Sequence, residues 1–557
     1  MSAVQTELLR RLDGQTFLRL VAGGAAQLRA NAKIVNDLNV FPIPDGDTGE
    51  NMCLTIGGGL HRAQEMTGDD LCVVSEGLAS GMLLSARGNS GVILSQLFAG
   101  IAAGLRGIAA ADVSEFADAL QSGVRYAYAA VVTPTEGTIL TVAREAADYA
   151  QGRIHAQTSF SEFGQDYFKA LGDSLQRTPE LLAVLKEAGV IDSGGAGLYY
   201  IVDGMLRTAR GEEIAQAEMA FSEPRQTVDF SAFTEDSVME FGYCTEFLLQ
   251  LQRSKCDVDA FDTDALIAWL SERGDSIVAF KTGTVVKVHV HTMHPGAVLE
   301  YCQNFGEYLT VKIENMTLQH HESTVQNAFE VQSPKEKKEY AIVTVATGQG
   351  LCDTFRQLGA DFVIEGGQGH NPSTEDFIGA FDAVCAKTIF VLPNNGNILL
   401  AAKQAAALYE GAQVIVVPSR DIGQGYAALA MHSYDSGDSA EIAKEMEDAM
   451  QGVLTGEVSR SVRDAKLDGV AIRENDYIGF AGKTMYASDA DKVETAMQLL
   501  AKLGAAQHEI LIAIYGAEVS AQEKAALHAR VRSAMPRTEL YEIDGGQAVY
   551  DFLLILQ

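Results

Sequence analysis

From residue 5 to about residue 210, apolar side chains recur at intervals of three and four: Leu8, Leu9 and Leu12, then Leu18, Val21, Ala25 and Leu28. That spacing is helical. Ser114 to Ala130 and Ala143 to Ala150 repeat it, with little of the β-branched alternation that marks strands. The pattern predicts an all-α unit over residues 1–210, with glycine-rich connections gathered at one rim. Gly211 to Ser237 is polar and reads as a boundary. From Glu240 the texture changes to strand-like runs, at Phe247 to Leu251, Ser276 to Phe280 and Val285 to His291, with one helix predicted over Thr263 to Arg273. This gives a small α+β unit over 235–325. After the charged hinge Lys335-Glu336-Lys337-Lys338-Glu339, the uniformly apolar runs Tyr340 to Val345, Thr388 to Leu392 and Val414 to Val417 predict buried parallel strands between helices. The third unit, 339–557, is therefore α/β, continuing past residue 436 with a helix, a strand pair near Gly469 to Met485 and further alternation through Ile510 to Tyr515.

The chain has 557 residues, enough for about three domains. Its formal charge of −32 argues against nucleic acid or an anionic membrane surface as a partner. Seven cysteines occur without a C-x-x-C pair. Such a scattered, odd set, with no basic-then-apolar leader at Met1 to Glu7, points to the reducing cytoplasm. No apolar run approaches the roughly 20 residues that span a bilayer, and a soluble protein is expected.

The densest chemistry lies in Asn39-Val40-Phe41-Pro42-Ile43-Pro44-Asp45-Gly46-Asp47-Thr48-Gly49-Glu50-Asn51-Met52. Pro44 stiffens the segment and Gly46 and Gly49 let it bend, so Asp45 and Asp47 project toward one point. Paired hard oxygen ligands suit Mg²⁺, which leaves its remaining positions to water and phosphate. An EF-hand starting at Asp45 would need glycine and glutamate where Glu50 and Ile56 stand. A Walker A loop ending in Gly482-Lys483-Thr484 would need glycine at Tyr477. Both fail. A plain turn whose aspartates cap a helix stays open.

Asn39 to Met52 resembles the metal-binding signature of the dihydroxyacetone kinase L-subunit superfamily, in the version carried by the ATP-binding components of bacterial fatty acid kinases. Three further segments match in order: Ser85-Ala86-Arg87-Gly88-Asn89-Ser90-Gly91, Pro134-Thr135-Glu136-Gly137-Thr138 and Asp192-Ser193-Gly194-Gly195-Ala196-Gly197. The middle and C-terminal parts are similar as well, the last also to DegV-type fatty-acid-binding proteins. The resemblance implies an antiparallel helical barrel for 1–210 and an ATP-dependent kinase that phosphorylates a fatty acid carboxylate. It implies Mg²⁺ at Asp45 and Asp47, with Asn39 where the family usually has aspartate. ATP contacts are implied at Thr48, Gly49, Asn51, Met52, Asn89, Ser90, Gly91, Thr138, Asp192 and Gly194. Asp192 reads equally as a helix cap. Arg87 could neutralise transition-state charge or serve as a surface ion-pair partner.

Cys244, His289 and His291 form a second set. Histidines two apart on a strand share a face, and with a thiolate they suit zinc; alone, an H-x-H on a strand is also an ordinary solvated pair. The family resemblance adds weight to zinc. Asn371-Pro372-Ser373-Thr374-Glu375 and Pro393-Asn394-Asn395-Gly396-Asn397-Ile398 match family segments and are expected to dock or orient a substrate carrier. The resemblance implies that carrier to be a separate fatty-acid-binding protein, the B component of such kinases, and it implies a homodimer. A dihydroxyacetone-type kinase, a zinc-dependent hydrolase and a non-catalytic nucleotide sensor are the alternatives. Because all four nucleotide motifs precede Leu206, the helical unit alone is expected to bind Mg·ATP.

Overall fold

The computed structural model describes residues 11–39, 46–64, 66, 68–131, 133–212, 243–258, 261, 263–271, 273–282, 284–315, 337–367, 369–432 and 437–557. It divides into two compact units, one formed by residues 1–219 together with 337–557 and the other by 220–336.

The N-terminal part of the first unit is helical, as its periodicity predicts. Its long helices are α1 (Gly14–Ala30), α2 (Thr48–Gln64), α3 (Leu71–Ser85), α4 (Gly88–Gly104), α5 (Val113–Ala130), α6 (Ile139–Gln151), α7 (Phe160–Leu181) and α8 (Ser193–Ala209). Side chains written into the sequence start several of them. Asp13 accepts from the Thr16 amide, and Asp112–Glu115 and Ser159–Glu162 form reciprocal capping boxes. Neighbours in sequence pack on one another, and α8 returns to pack on α1. Phe17, Leu28, Met52, Ile56, Leu60 and Leu71 fill the core. No closed barrel is detected among the described residues, and α2 is buried along most of its length.

The C-terminal part holds two sheets. The first is fully parallel, in the order β8 (Gln413–Val416), β7 (Ala386–Leu392), β5 (Lys338–Ala346), β6 (Phe362–Glu365). Six consecutive buried residues end β5, which is what helix-covered parallel strands require. The second sheet is mixed. Its order is β13 (Thr484–Asp489), β12 (Tyr477–Ala481), β9 (Leu454–Arg460), β16 (Tyr550–Leu556), β14 (Ile510–Tyr515), β15 (Glu539–Asp544). Only β14 and β15 pair in parallel. The predicted strand pair near Gly469 is two hairpins: Ala465–Leu467 with Val470–Ile472 and, beyond it, β12 with β13.

The helical and C-terminal parts share a core. Ala86 and Val92 of the helical part lie in one buried cluster with Ile364, Phe377, Phe381 and Ala401. Polar contacts rim that seam: Gln404 Nε2 donates to the Leu83 carbonyl at 2.6 Å, Gln96 donates to Gln404 Oε1 at 2.8 Å, and the Thr374 amide donates to the Ala86 carbonyl at 3.1 Å.

The second unit is a four-stranded antiparallel sheet, ordered β2 (Asp275–Thr282), β3 (Val285–Thr292), β1 (Tyr243–Leu251), β4 (Gly306–Asn315). Helices Thr263–Ser271 and Pro295–Gln303 accompany it, so the α+β expectation holds. Its register sets Cys244 opposite His291 and Glu246 opposite His289.

Candidate active site

Four helix N-termini converge at one rim of the helical domain. Asp47 immediately precedes α2, and its carbonyl accepts from the Asn51 amide at 2.8 Å. At the start of α4, Gly88 adopts φ +57°, and a β-carbon there would sit 2.6 Å from Asn51 Nδ2 and 3.3 Å from Asn371 Nδ2. Glycine is required for these amides to converge. Ser193 in the first turn of α8 donates to Thr48 Oγ1 at 3.3 Å. Asp192 caps α8 by accepting from the Gly195 amide at 2.6 Å, and it also accepts from the Ile139 backbone at the start of α6. The positive ends of α2, α4, α6 and α8 thus face a common region, each dipole favouring an anion by about 0.3–1 kcal/mol at an exposed end. In a chain of net charge −32, this supplies local positive potential from the backbone.

Burial pushes the Asp47 carboxyl up to about 6, with the Asn51 side-chain hydrogen bond pulling against it. A partner from the C-terminal part reaches the same carboxylate: Asn371 Nδ2 donates to Asp47 Oδ2. The buried Oδ1 atoms of Asn371 and Asn89 accept no hydrogen bond among the described residues. A buried carboxylate bonded by an amide whose own oxygen is unused is a donor set that fits Mg²⁺ and its nucleotide. Asp47 is the described group that would hold the cation, with the Asn371 amide bonded to it, and the helix termini would hold phosphate.

The other predicted residues fall in several places. Thr48, Gly49, Asn51, Asn89, Ser90 and Gly91 lie in the first turns of α2 and α4, and the Gly49 amide donates to Asn36 Oδ1 at 2.7 Å. Thr138 is the N-cap residue of α6, its hydroxyl turned back to the Thr135 carbonyl at 2.8 Å. Gly194 is buried in the first turn of α8, where an added β-carbon would lie 3.3 Å from Ile139. Met52 is fully buried, and Gly197 is needed beside it because a β-carbon there would come within 2.4 Å of the Met52 sulfur. The structure therefore places Met52 in the core, not at the rim. Asn39 has its carbonyl held by the Arg463 guanidinium. Asp45 lies outside the described residues, as do the side chains of Cys244, His289 and His291. Among the described residues no group of three histidine, cysteine or acidic side chains could hold a metal.

Arg87, a candidate for transition-state neutralisation, is engaged elsewhere. It donates to the Asn371 carbonyl at 3.0 Å and lies 3.7 Å from Asp376. The two segments expected to dock a carrier instead meet the helical domain: Asn371 reaches Asp47, and Asn89 Nδ2 donates to the Gly396 carbonyl at 3.4 Å. Asn394 is internal, at φ +56°, bonded to Thr344, Val345 and Ser419.

Asp192 is a cap joining two helices, and burial pushes its carboxyl to about 6. Near pH 4, Asp192→Ala is expected to lower stability by about 1–2 kcal/mol. The folded pKa lies above the unfolded one, so the native state binds the extra proton. The wild-type advantage over Asp192→Ala should therefore shrink as pH rises from about 4 to about 6. Urea unfolding of both proteins across that range checks it, and an advantage that grows with pH would contradict the assignment.

Similarity to known proteins extends over the whole chain. The DAK2 domain family matches residues 42–207, the FakA-like middle domain of fatty acid kinases matches 240–323, and the FakA-like C-terminal domain of fatty acid kinases matches 341–557. Protein YloV of Bacillus subtilis is 40% identical over 98% of this chain and 99% of its own length. An uncharacterized protein of Staphylococcus epidermidis is 37% identical over 99% and 100%. The dihydroxyacetone kinase of C. freundii, solved with AMP-PNP and Mg²⁺, aligns with a TM-score of 0.27 at 21% identity over 34% of this chain and 33% of that one. No helix among the described residues is long and apolar enough to cross a membrane. With its three domains matched in order and relatives aligned end to end, this chain belongs to the FakA-like family of fatty acid kinase proteins, with a DAK2 domain of the kinase type at its N-terminus.

Proposed function

We propose that the protein is the ATP- and Mg²⁺-dependent component of a fatty acid kinase, which phosphorylates a fatty acid carboxylate presented by a separate fatty-acid-binding protein. The gathering of four helix N-termini at the rim that carries Asp47 supports this reading. When bound, Mg²⁺ would supply charge neutralisation to the triphosphate. Asp45 and Asp47 would hold it, while the first turns of α2 and α4 and Thr138 would orient the triphosphate. A carboxylate oxygen attacks the γ-phosphorus, the bond to the β–γ bridging oxygen breaks, and ADP leaves with that electron pair. The nucleophile is already ionised near pH 7, so no general base is needed. A rim supplied with helix dipoles and amides suits such a reaction, because positioning and charge stabilisation are most of the catalysis. The acyl phosphate would feed phospholipid synthesis. ATP as donor places the protein in the cytoplasm, and a homodimer is the expected assembly. The C-terminal domain flanks the rim and is the proposed docking element for the carrier.

The test is ATP consumption by the purified chain with hydroxylamine present, with and without a fatty-acid-loaded carrier. Acyl hydroxamate should accumulate only with the loaded carrier. Turnover with dihydroxyacetone but not with the loaded carrier would favour a small-molecule kinase, whose phosphate ester gives no hydroxamate.

Zinc at Cys244, His289 and His291 is proposed from the register that sets Cys244 opposite His291 on adjacent strands. About one zinc per chain is expected in the wild type, and less in Cys244→Ala, by elemental analysis. Equal metal in the two proteins would remove these residues as ligands.

A further inference from the structure

We propose that Asn371, supplied by the C-terminal domain, is a positioning residue for the cation and phosphate site of the helical domain, acting through Asp47. The proposal rests on the reading of Asp47 as a cation ligand.

Asn371 is 3% exposed and its amide donates to Asp47 Oδ2 across the seam between the two domains. Everything around it fixes that amide. Pro372 follows and holds Asn371 to extended backbone. Its carbonyl accepts from Arg87, and Ser373 pairs with Arg87 in an isolated antiparallel bridge. Ser373 then starts helix Thr374–Val384 through a capping box with Asp376. A side chain gripped on both flanks loses little freedom when it makes its bond, so it arrives preorganised. Gly88 leaves the space through which the amide passes.

Chemistry explains which end of the amide faces Asp47. Its hydrogens suit a carboxylate, and its oxygen, buried without an acceptor role among the described residues, stays beside the region where cation and phosphate would lie. Partners that hydrogen-bond a ligating carboxylate orient it and tune it, and their removal typically weakens metal binding about 10–100-fold. Asn371 stands in that relation to Asp47. The C-terminal domain is thereby part of the phosphoryl-transfer site itself, separately from any carrier docking.

The experiment measures AMP-PNP binding calorimetrically at a series of Mg²⁺ concentrations, using the full chain as wild type, Asn371→Ala and Gln404→Ala. Gln404 bridges the same seam to Leu83 and Gln96 but has no bond to Asp47. The Mg²⁺ concentration for half-maximal binding should rise about 10–100-fold in Asn371→Ala, with metal-free nucleotide affinity unchanged, and stay near wild type in Gln404→Ala. Mn²⁺ titration followed by electron paramagnetic resonance should show the same order. Asn371→Leu, which keeps the volume without the amide, should reproduce the shift if the alanine variant folds poorly. A wild-type Mg²⁺ midpoint in the Asn371 variants, or equal shifts in Asn371→Ala and Gln404→Ala, would overturn the proposal. Wild-type protein that binds AMP-PNP with no Mg²⁺ dependence would overturn the underlying reading of Asp47, a distinguishable failure.

Discussion

Asp47→Asn is expected to cut carrier-dependent ATP turnover by roughly 10³-fold or more, while making the folded protein more stable at neutral pH. The loss follows from charge. The chain has no Walker lysine, and Arg87 is engaged by Asn371 and Asp376, so the cation must neutralise much of the phosphate charge. Metal stabilisation of a phosphoryl-transfer transition state is worth several kcal/mol, and each 1.36 kcal/mol is about tenfold in rate. The gain in stability follows from burial. The Asp47 carboxyl is pushed to about 6, chiefly because its charged form loses water. A folded pKa above the unfolded value means that ionisation destabilises the native state as pH rises from about 4 through 6. Removing the charge should then be worth about 2–3 kcal/mol at pH 7, by roughly 1.4 kcal/mol per pKa unit, and little near pH 4. Asparagine keeps an acceptor for the Asn371 amide, so packing is preserved. Thermal unfolding at the two pH values, alongside ATP turnover with loaded carrier, reads both effects. Full turnover in Asp47→Asn would sink the proposed site. A destabilised variant at pH 7 would sink the account of its burial.

Such opposition between stability and function is local to the rim, and it bears on what the sequence could show. The helices were legible because their apolar period is local; their caps are local signals too, though periodicity alone gave the helical unit. Asp13, Asp112 with Glu115, and Ser159 with Glu162 stand where the helices begin. The first parallel sheet was legible from uniformly buried runs such as the end of β5. The mixed second sheet was not, because β16 pairs with both β9 and β14, strands that no local pattern ties together. Motif reading gathered Asp47, Asn51, Asn89 and Asp192 but could not sort contact from scaffold. Asn51 lies at the rim, whereas Met52, about 100° further round the same helix, points into the core. Asp192 caps two helices, a role that depends on α6 lying beside α8. Asn371 was noticed only as part of a family-matching segment expected to dock a carrier. Its partner is 324 residues away in sequence, and only the fold brings them together.

A chain ending at Leu206 is expected to remain helical but to bind Mg·AMP-PNP about 10–100-fold more weakly than the full protein, and to make no acyl phosphate. Sequence motifs alone predict otherwise, since all four precede that point. The helical core is a cluster formed entirely within residues 12–201, so the fragment keeps its own packing. Cutting the chain nevertheless uncovers Ala86 and Val92, which share a buried cluster with Phe377 and Phe381, and strips Asn371 from Asp47. It also frees Arg87 from Asp376 and opens Asn89 to water. Weaker binding would therefore arise from a loosened carboxylate and a wetter site, in which every electrostatic contact with phosphate is worth less. Loss of acyl phosphate has a further cause, because nothing would remain to hold a protein-borne carboxylate against the γ-phosphate. Circular dichroism establishes the helical fold, calorimetry the nucleotide affinity, and hydroxamate formation the product. A fragment that binds Mg·AMP-PNP as tightly as the whole chain would confine the site to the helical domain. A fragment that also makes acyl phosphate at the full rate would remove the carrier-docking role from the rest of the protein.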